Sequence, residues 1–241
     1  MFAASFFFQA PYAKENRMTN TEIAKMIDHT NLKAFACTAD IEKLCHEAAE
    51  NKFASVCVNS VWVKKAAELL SGTGVEVCTV VGFPLGACNH ATKAYEASSA
   101  VKDGATEVDM VIDIGAIKDG RWDDVKEDVA GVVSAVKQAS ENEKNKGIVK
   151  VILENCYLEK EEIAKASRIC VEAGADFVKT STGFGTSGAT VDDVKLMRQT
   201  VGANVGVKAA GGIRDRATAL AMIEAGANRI GCSAGIAIIN G

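Results

Sequence analysis

The sequence contains no CxxC pair, only three histidines, no apolar run of membrane-spanning length and no marked excess of either charge. Each shortage excludes a class of function. The eight cysteines (Cys37, Cys45, Cys57, Cys78, Cys88, Cys156, Cys170 and Cys232) show no metal-ligand spacing with histidine, and after the His46-Glu47 pair Glu50 stands where a zinc-binding helix would carry its second histidine. No metal is expected. The net charge of -4 is mild and the basic residues are scattered, which argues against a nucleic-acid or anionic membrane surface. The first apolar run, in MFAASFFFQAPYAKENRM, is too short to span a membrane, and its basic residues Lys14 and Arg17 follow it rather than precede it, unlike a secretory signal. Residues 1–17 therefore read as a poorly ordered extension, and residues 18–241 as one domain. A chain of 241 residues that is 48% apolar can bury a full core without disulfide staples, so the thiols are expected to be reduced and the protein cytoplasmic. The partner class that remains is a small molecule.

An internal repeat is what the chain has in abundance. KDGATEVDMV (102–111), EAGADFVKTS (172–181) and EAGANRIGCS (224–233) each join a helix end, a Gly-Ala turn and a strand, and ENKFASVCVN (50–59) is a degenerate copy. Strands are expected near MIDHT, ASVCVN, EVCTVVGF, EVDMVID, VKVILEN, FVKTST, NVGVKAAG and RIGCSAG. Helical patterns intervene, among them TADIEKLCHEAAEN from Thr38, DDVKEDVAGVVSAVKQ from Asp123, LEKEEIAKASRICVEAG from Leu158 and TVDDVKLMRQTVG from Thr190. A short helix with spacing at Ile23, Met26 and Ile27 is expected before the first strand, and the last helix must be short. Eight strand-then-helix units in this length predict a single-domain (β/α)₈ barrel rather than an open doubly wound sheet.

Counting five residues past each turn position lands on Cys57, Asp109, Lys179 and Gly231, which places these on one face, pointing into the barrel. Lys208 falls one step later. Three lysines, Lys150, Lys179 and Lys208, interrupt apolar strands, where an ammonium group is costly unless paired or neutralised. For one such lysine, snorkelling to solvent is the simpler explanation. Lys179 and Lys208 on neighbouring strands point instead to a nucleophilic amine, because like-charge repulsion and burial both favour the neutral form that attacks a carbonyl. Spacing alone does not say which of the two attacks. Asp109 is either a salt-bridge partner or a proton carrier. Glycine clusters STGFGTSG (181–188), AAGGIRD (209–215) and CSAG (232–235) follow the last three strands, where barrels bind phosphate through backbone N–H groups. Cys57 reads as a small apolar filler, with contact to substrate rather than catalysis as the alternative.

VKTSTGFG, VKAAGGIR, EVDMVI and IDHT together closely resemble the deoxyribose-phosphate aldolases, from about Met18 to the C-terminus. The resemblance implies a metal-independent class I aldolase on a (β/α)₈ barrel. It implies reversible cleavage of 2-deoxy-D-ribose 5-phosphate into acetaldehyde and D-glyceraldehyde 3-phosphate, in deoxynucleoside breakdown. By the same resemblance Lys179 is the Schiff-base residue, Lys208 its modulator and Asp109 the proton relay. No cofactor is implied beyond the covalent imine on Lys179. Asp28, Cys57, Lys150, Thr180, Gly183, Gly211, Gly212 and Ser233 are the implied substrate-binding set. Phe184 stands where some relatives carry a lysine, and Ala234 where many carry a second serine. A homo-oligomer is compatible with such a barrel, though no stretch identifies an interface. The rival readings are a sugar-phosphate epimerase or isomerase, which would need paired acids or a metal rather than two strand lysines, and a phosphosugar sensor that binds without reacting.

Overall fold

The computed structural model describes residues 18–141 and 147–241, so the expected extension over 1–17 lies outside the described residues. Eight parallel strands close into a barrel in chain order: β1 (Ile27–Asn31), β2 (Ser55–Val58), β3 (Glu76–Val81), β4 (Glu107–Val111), β5 (Ile148–Ile152), β6 (Phe177–Lys179), β7 (Gly206–Ala210) and β8 (Arg229–Cys232). All eight expected strands are present, and β8 pairs with β1 to complete the ring. Closure leaves no strand edge exposed. The outward strand residues are mostly apolar, and they form the core against the surrounding helices. A second, small apolar cluster of Leu32, Cys57, Cys78 and Val80, with Phe83 against it, lies apart from that core.

Those helices are α1 (Asn20–Ala24), α2 (Thr38–Asn51), α3 (Val63–Leu70), α4 (His90–Lys102), α5 (Ile114–Lys118), α6 (Trp122–Ala139), α7 (Lys160–Glu172), α8 (Val191–Val201), α9 (Arg216–Glu224) and α10 (Gly235–Asn240). Thr19 opens α1 with a capping box closed by Glu22, yet the helix stops at Ala24 and Ile27 belongs to β1, so the expected helical spacing extends too far. The repeated turn is a left-handed one: φ is +109° at Gly104, +89° at Gly174 and +112° at Gly226, and Lys52 takes +54° in the degenerate copy. The turn releases each chain into its strand at the same height, which brings the inward side chains of different strands together.

Lys208 lies directly opposite Lys179 in the pairing of β6 with β7. The turn count places it one step late because the segment after Gly202 carries one residue more than the other copies. Asp113, which alternation alone would put on the face of Asp109, has left the strand and caps α5 by accepting from the N–H of Ala116 at 2.9 Å.

Candidate active site

Parallel pairing sets Asp109 opposite Lys150, Ile152 opposite Lys179, and Lys179 opposite Lys208. These side chains therefore converge inside the barrel, all of them buried. Asp109 is the hub: Lys150 Nζ donates to its Oδ1 at 2.8 Å, while Lys179 Nζ and Lys208 Nζ donate to its Oδ2 at 2.8 and 2.6 Å. Cys78 Sγ donates to the same Oδ1 at 3.2 Å. Two further carboxylates lie among these cations. Lys208 reaches Asp28 Oδ2 at 2.5 Å, and Lys150 reaches Glu107 Oε2 at 2.5 Å. Arg229 spans both, with Nε to Asp28 Oδ1 at 2.8 Å and its two terminal nitrogens to Glu107 at 3.0 and 2.8 Å.

The electrostatics correct one expectation. Burial of Lys208 alone would favour its neutral amine, and so would the nearby Lys150, but Asp109 and Asp28 outweigh both and hold its pKa above the ordinary lysine value. Burial opposes the charge of Lys150 too, and Asp109, Cys78, Glu107 and Asp28 reverse it, raising that pKa well above the ordinary value. Mutual repulsion does not control these two lysines, because carboxylates stand between them. Asp109, despite burial that would raise it, is held well below the usual carboxylate range by Lys150, Lys179 and Lys208. Asp28 is depressed likewise against its burial, by Lys208, Arg229 and Lys150. Burial pushes the Cys78 thiol well up, while the neighbouring Cys78 pulls the Cys57 thiol down.

Above the cluster opens a cavity of about 480 Å³. Of the three barrel lysines only Lys179 borders it, together with Gly183, Phe184, Gly211, Gly212 and Ser233. Of the expected substrate-binding set, the glycines and Ser233 therefore surround the opening, whereas Asp28, Cys57 and Lys150 are fully buried within the barrel beneath it. Thr180 is also sealed off: its hydroxyl donates to the Ala210 carbonyl and accepts from the Ala210 N–H, each at 3.1 Å, tying β6 to β7. A larger recess of about 840 Å³, bordered by Val61, Leu85 and Tyr95, includes no member of the charged cluster.

Local contacts shape the glycine loops. Gly211 (φ +86°) lets the backbone turn under the cavity, and a Cβ on Gly188 would fall 2.2 Å from the Gly211 carbonyl oxygen. Glu154 accepts from the N–H of Thr182 at 3.1 Å and from its hydroxyl, which pins the start of the β6–α8 loop. Phe184 then meets Phe83 edge to face at 5.3 Å between ring centres, forming one wall of the mouth. His29 lies in β1 and bonds Glu47 at 2.8 Å, while His90 begins α4, so neither histidine joins the lysine cluster. Cys57, Cys78 and Asp109 place possible ligand atoms within 4.8 Å of one another. Both oxygens of Asp109 already accept from ammonium groups, an environment that repels a cation.

Arg229 and Glu107 are the participants that sequence reasoning undervalued. Glu107 shares the face of Asp109 by alternation, but nothing in the spacing ties it to an arginine 122 positions away. A buried amine held by a carboxylate, facing a cavity with a glycine-rich rim, suits covalent capture of a carbonyl compound that carries an anionic end.

Comparison with known proteins agrees with this chemistry. The model of the DeoC/LacD family aldolases matches residues 22–241. The chain is 59% identical over 224 residues to the deoxyribose-phosphate aldolase of Carboxydothermus hydrogenoformans, covering 93% of this chain and 96% of that one. It is 60% identical over 217 residues to that of a Thermoanaerobacter species, covering 90% and 95%. Among solved structures, the tetrameric deoxyribose phosphate aldolase of Aeropyrum pernix superposes with a TM-score of 0.84 at 32% identity, covering 92% of this chain and 91% of that one. An aldolase called QR15 gives 0.83 at 42% identity, covering 90% and 94%. The chain therefore belongs to the DeoC/LacD family of aldolases.

Proposed function

We propose that the protein is a class I aldolase that reversibly cleaves 2-deoxy-D-ribose 5-phosphate to acetaldehyde and D-glyceraldehyde 3-phosphate, in the cytoplasmic breakdown of deoxynucleosides, through an imine on Lys179 and without a metal. The observation that carries the reading is Lys179 itself: of the barrel lysines it alone borders the cavity, with Nζ 2.8 Å from Asp109 Oδ2. The amine of Lys179 adds to C1 of the open-chain sugar, and loss of water gives a cationic imine. Asp109, which holds the ammonium, holds that cation equally well, since the charge has the same sign and place. The imine draws in the electrons of the C2–C3 bond. As that bond breaks, the C3 hydroxyl loses its proton and leaves as the aldehyde of glyceraldehyde 3-phosphate. The enamine left behind takes a proton at C2, and water releases acetaldehyde. Asp109 and Lys208, in contact at 2.6 Å, carry protons in these steps. Gly183, Gly211, Gly212 and Ser233 hold the phosphate, which fixes C1 at attack distance from the amine. Asp28, Cys57, Lys150 and Thr180 support the site from beneath.

The test is mass spectrometry of protein treated with 2-deoxyribose 5-phosphate or acetaldehyde and borohydride. A reduced adduct on the peptide containing Lys179 is expected. An adduct on Lys208 would exchange the two lysine roles, and a folded, ligand-binding protein with no adduct would refute the imine mechanism.

A further inference from the structure

The charged side chains inside the barrel form a closed loop. Starting at Asp109, the contacts run to Lys208, Asp28, Arg229, Glu107, Lys150 and back to Asp109. Signs alternate at every step, each member touches one opposite charge on either side, and three negative charges balance three positive ones. Lys179 is outside the loop, hung on Asp109. It is the seventh charge, and it leaves the cluster with one positive charge in excess. Loss of one proton makes the whole cluster neutral, and Lys179 is the member whose proton can go while the loop keeps its alternation.

Resting on the imine reading above, we infer that Arg229 and Glu107 are positioning residues for the aldol reaction: beneath the cavity, they close a neutral ring whose charge balance sets when Lys179 becomes a free amine. Neither borders the cavity. Arg229 faces Asp28 from β1, Ser55 from β2 and Glu107 from β4. Glu107 faces Arg229 from β8 and Lys150 from β5. Asp109 faces Cys78 from β3, Lys150, Lys179 from β6 and Lys208 from β7, and Cys57 lies beside it. Removing a positive charge from this set and removing a negative one must therefore have opposite effects on the ease of freeing the amine. Without Arg229, three lysines face three carboxylates and no proton is in excess. Without the charge of Glu107, two protons are in excess.

The experiment is the pH dependence of imine formation, read as the rate of borohydride-trapped acetaldehyde adduct on Lys179 in the full-length protein. The acid limb of the profile is expected to move up by about one pH unit in Arg229→Met and down by about one unit in Glu107→Gln. Arg229→Lys restores the wild-type limb, and the Arg229→Met, Glu107→Gln pair returns toward it. A merely structural role would lower the amplitude without moving the limb in opposite directions. Glu107→Gln changes the side-chain volume very little and carries the test alone if Arg229→Met does not fold. An unmoved limb, or one moved upward, in folded Glu107→Gln overturns the inference while leaving the imine reading intact. Absence of any Lys179 adduct in the wild type removes the imine reading itself.

Discussion

The least connected residue of the cluster is the one placed to react. Lys150 and Lys208 each bridge two carboxylates at 2.8 Å or less, and Lys179 touches one. Replacing Lys179 with leucine therefore removes the amine and orphans nothing, because Asp109 keeps both of its other lysines. Turnover is expected to fall by at least about 10³-fold, with a melting temperature close to wild type. Lys208→Met takes a partner from both Asp28 and Asp109, so a loss of about 10²–10⁴-fold in turnover should come with clear destabilisation, measurable in the same melts. An unchanged melting temperature for Lys208→Met would contradict the bridging role. At this scale the sequence is candid about Lys179, Lys208 and Asp109, since charges set in apolar strands need a reason. It is silent about Arg229, which follows a turn and an asparagine and so resembles an ordinary charge at a strand's solvent end.

At the scale of single elements, the repeat was the most legible feature, because one turn geometry recurs at Gly104, Gly174 and Gly226 and starts each strand in the same way. The Thr190 cap of α8 follows from capping chemistry, whereas α2 begins at Thr38 behind Cys37, whose N–H donates to Asp40 at 2.9 Å. The short α5 leaves little trace in the sequence, since five residues offer too little periodicity and only the Asp113 cap marks it. The rim loops depend on close backbone approach, which local sequence does not reveal: two glycines 23 positions apart must touch. Gly188→Ala would force a Cβ to within 2.2 Å of the Gly211 carbonyl oxygen and should cost about 1–3 kcal/mol of stability. The same displacement of the β6–α8 and β7–α9 loops should raise KM for the phosphorylated sugar while leaving acetaldehyde trapping on Lys179 nearly unchanged. Equal losses with both ligands would mean that these loops do not hold the phosphate.

For the whole molecule, the charged interior makes stability depend on pH from both sides. The depressed carboxyls of Asp109 and Asp28 contribute stability that is present above their unfolded value near ~4 and is lost as pH falls through the folded values. Lys150 and Lys208, raised in the fold, contribute stability that is present below the unfolded value near ~10.4 and is lost as pH rises through theirs. Thermal melts should therefore show a plateau across neutral pH with a fall at either end, and a melting temperature that climbed below pH ~4 would contradict the paired state of the carboxylates. The contact of Arg229 with Asp28 has a further consequence, since it joins the last strand of the barrel to the first, 201 positions earlier. A nascent chain that has made seven strands has every lysine of the reaction and no closed ring to govern them. The alternating ring of charges is thus completed only when β8 docks on β1, so closure of the barrel and assembly of the site are one folding event.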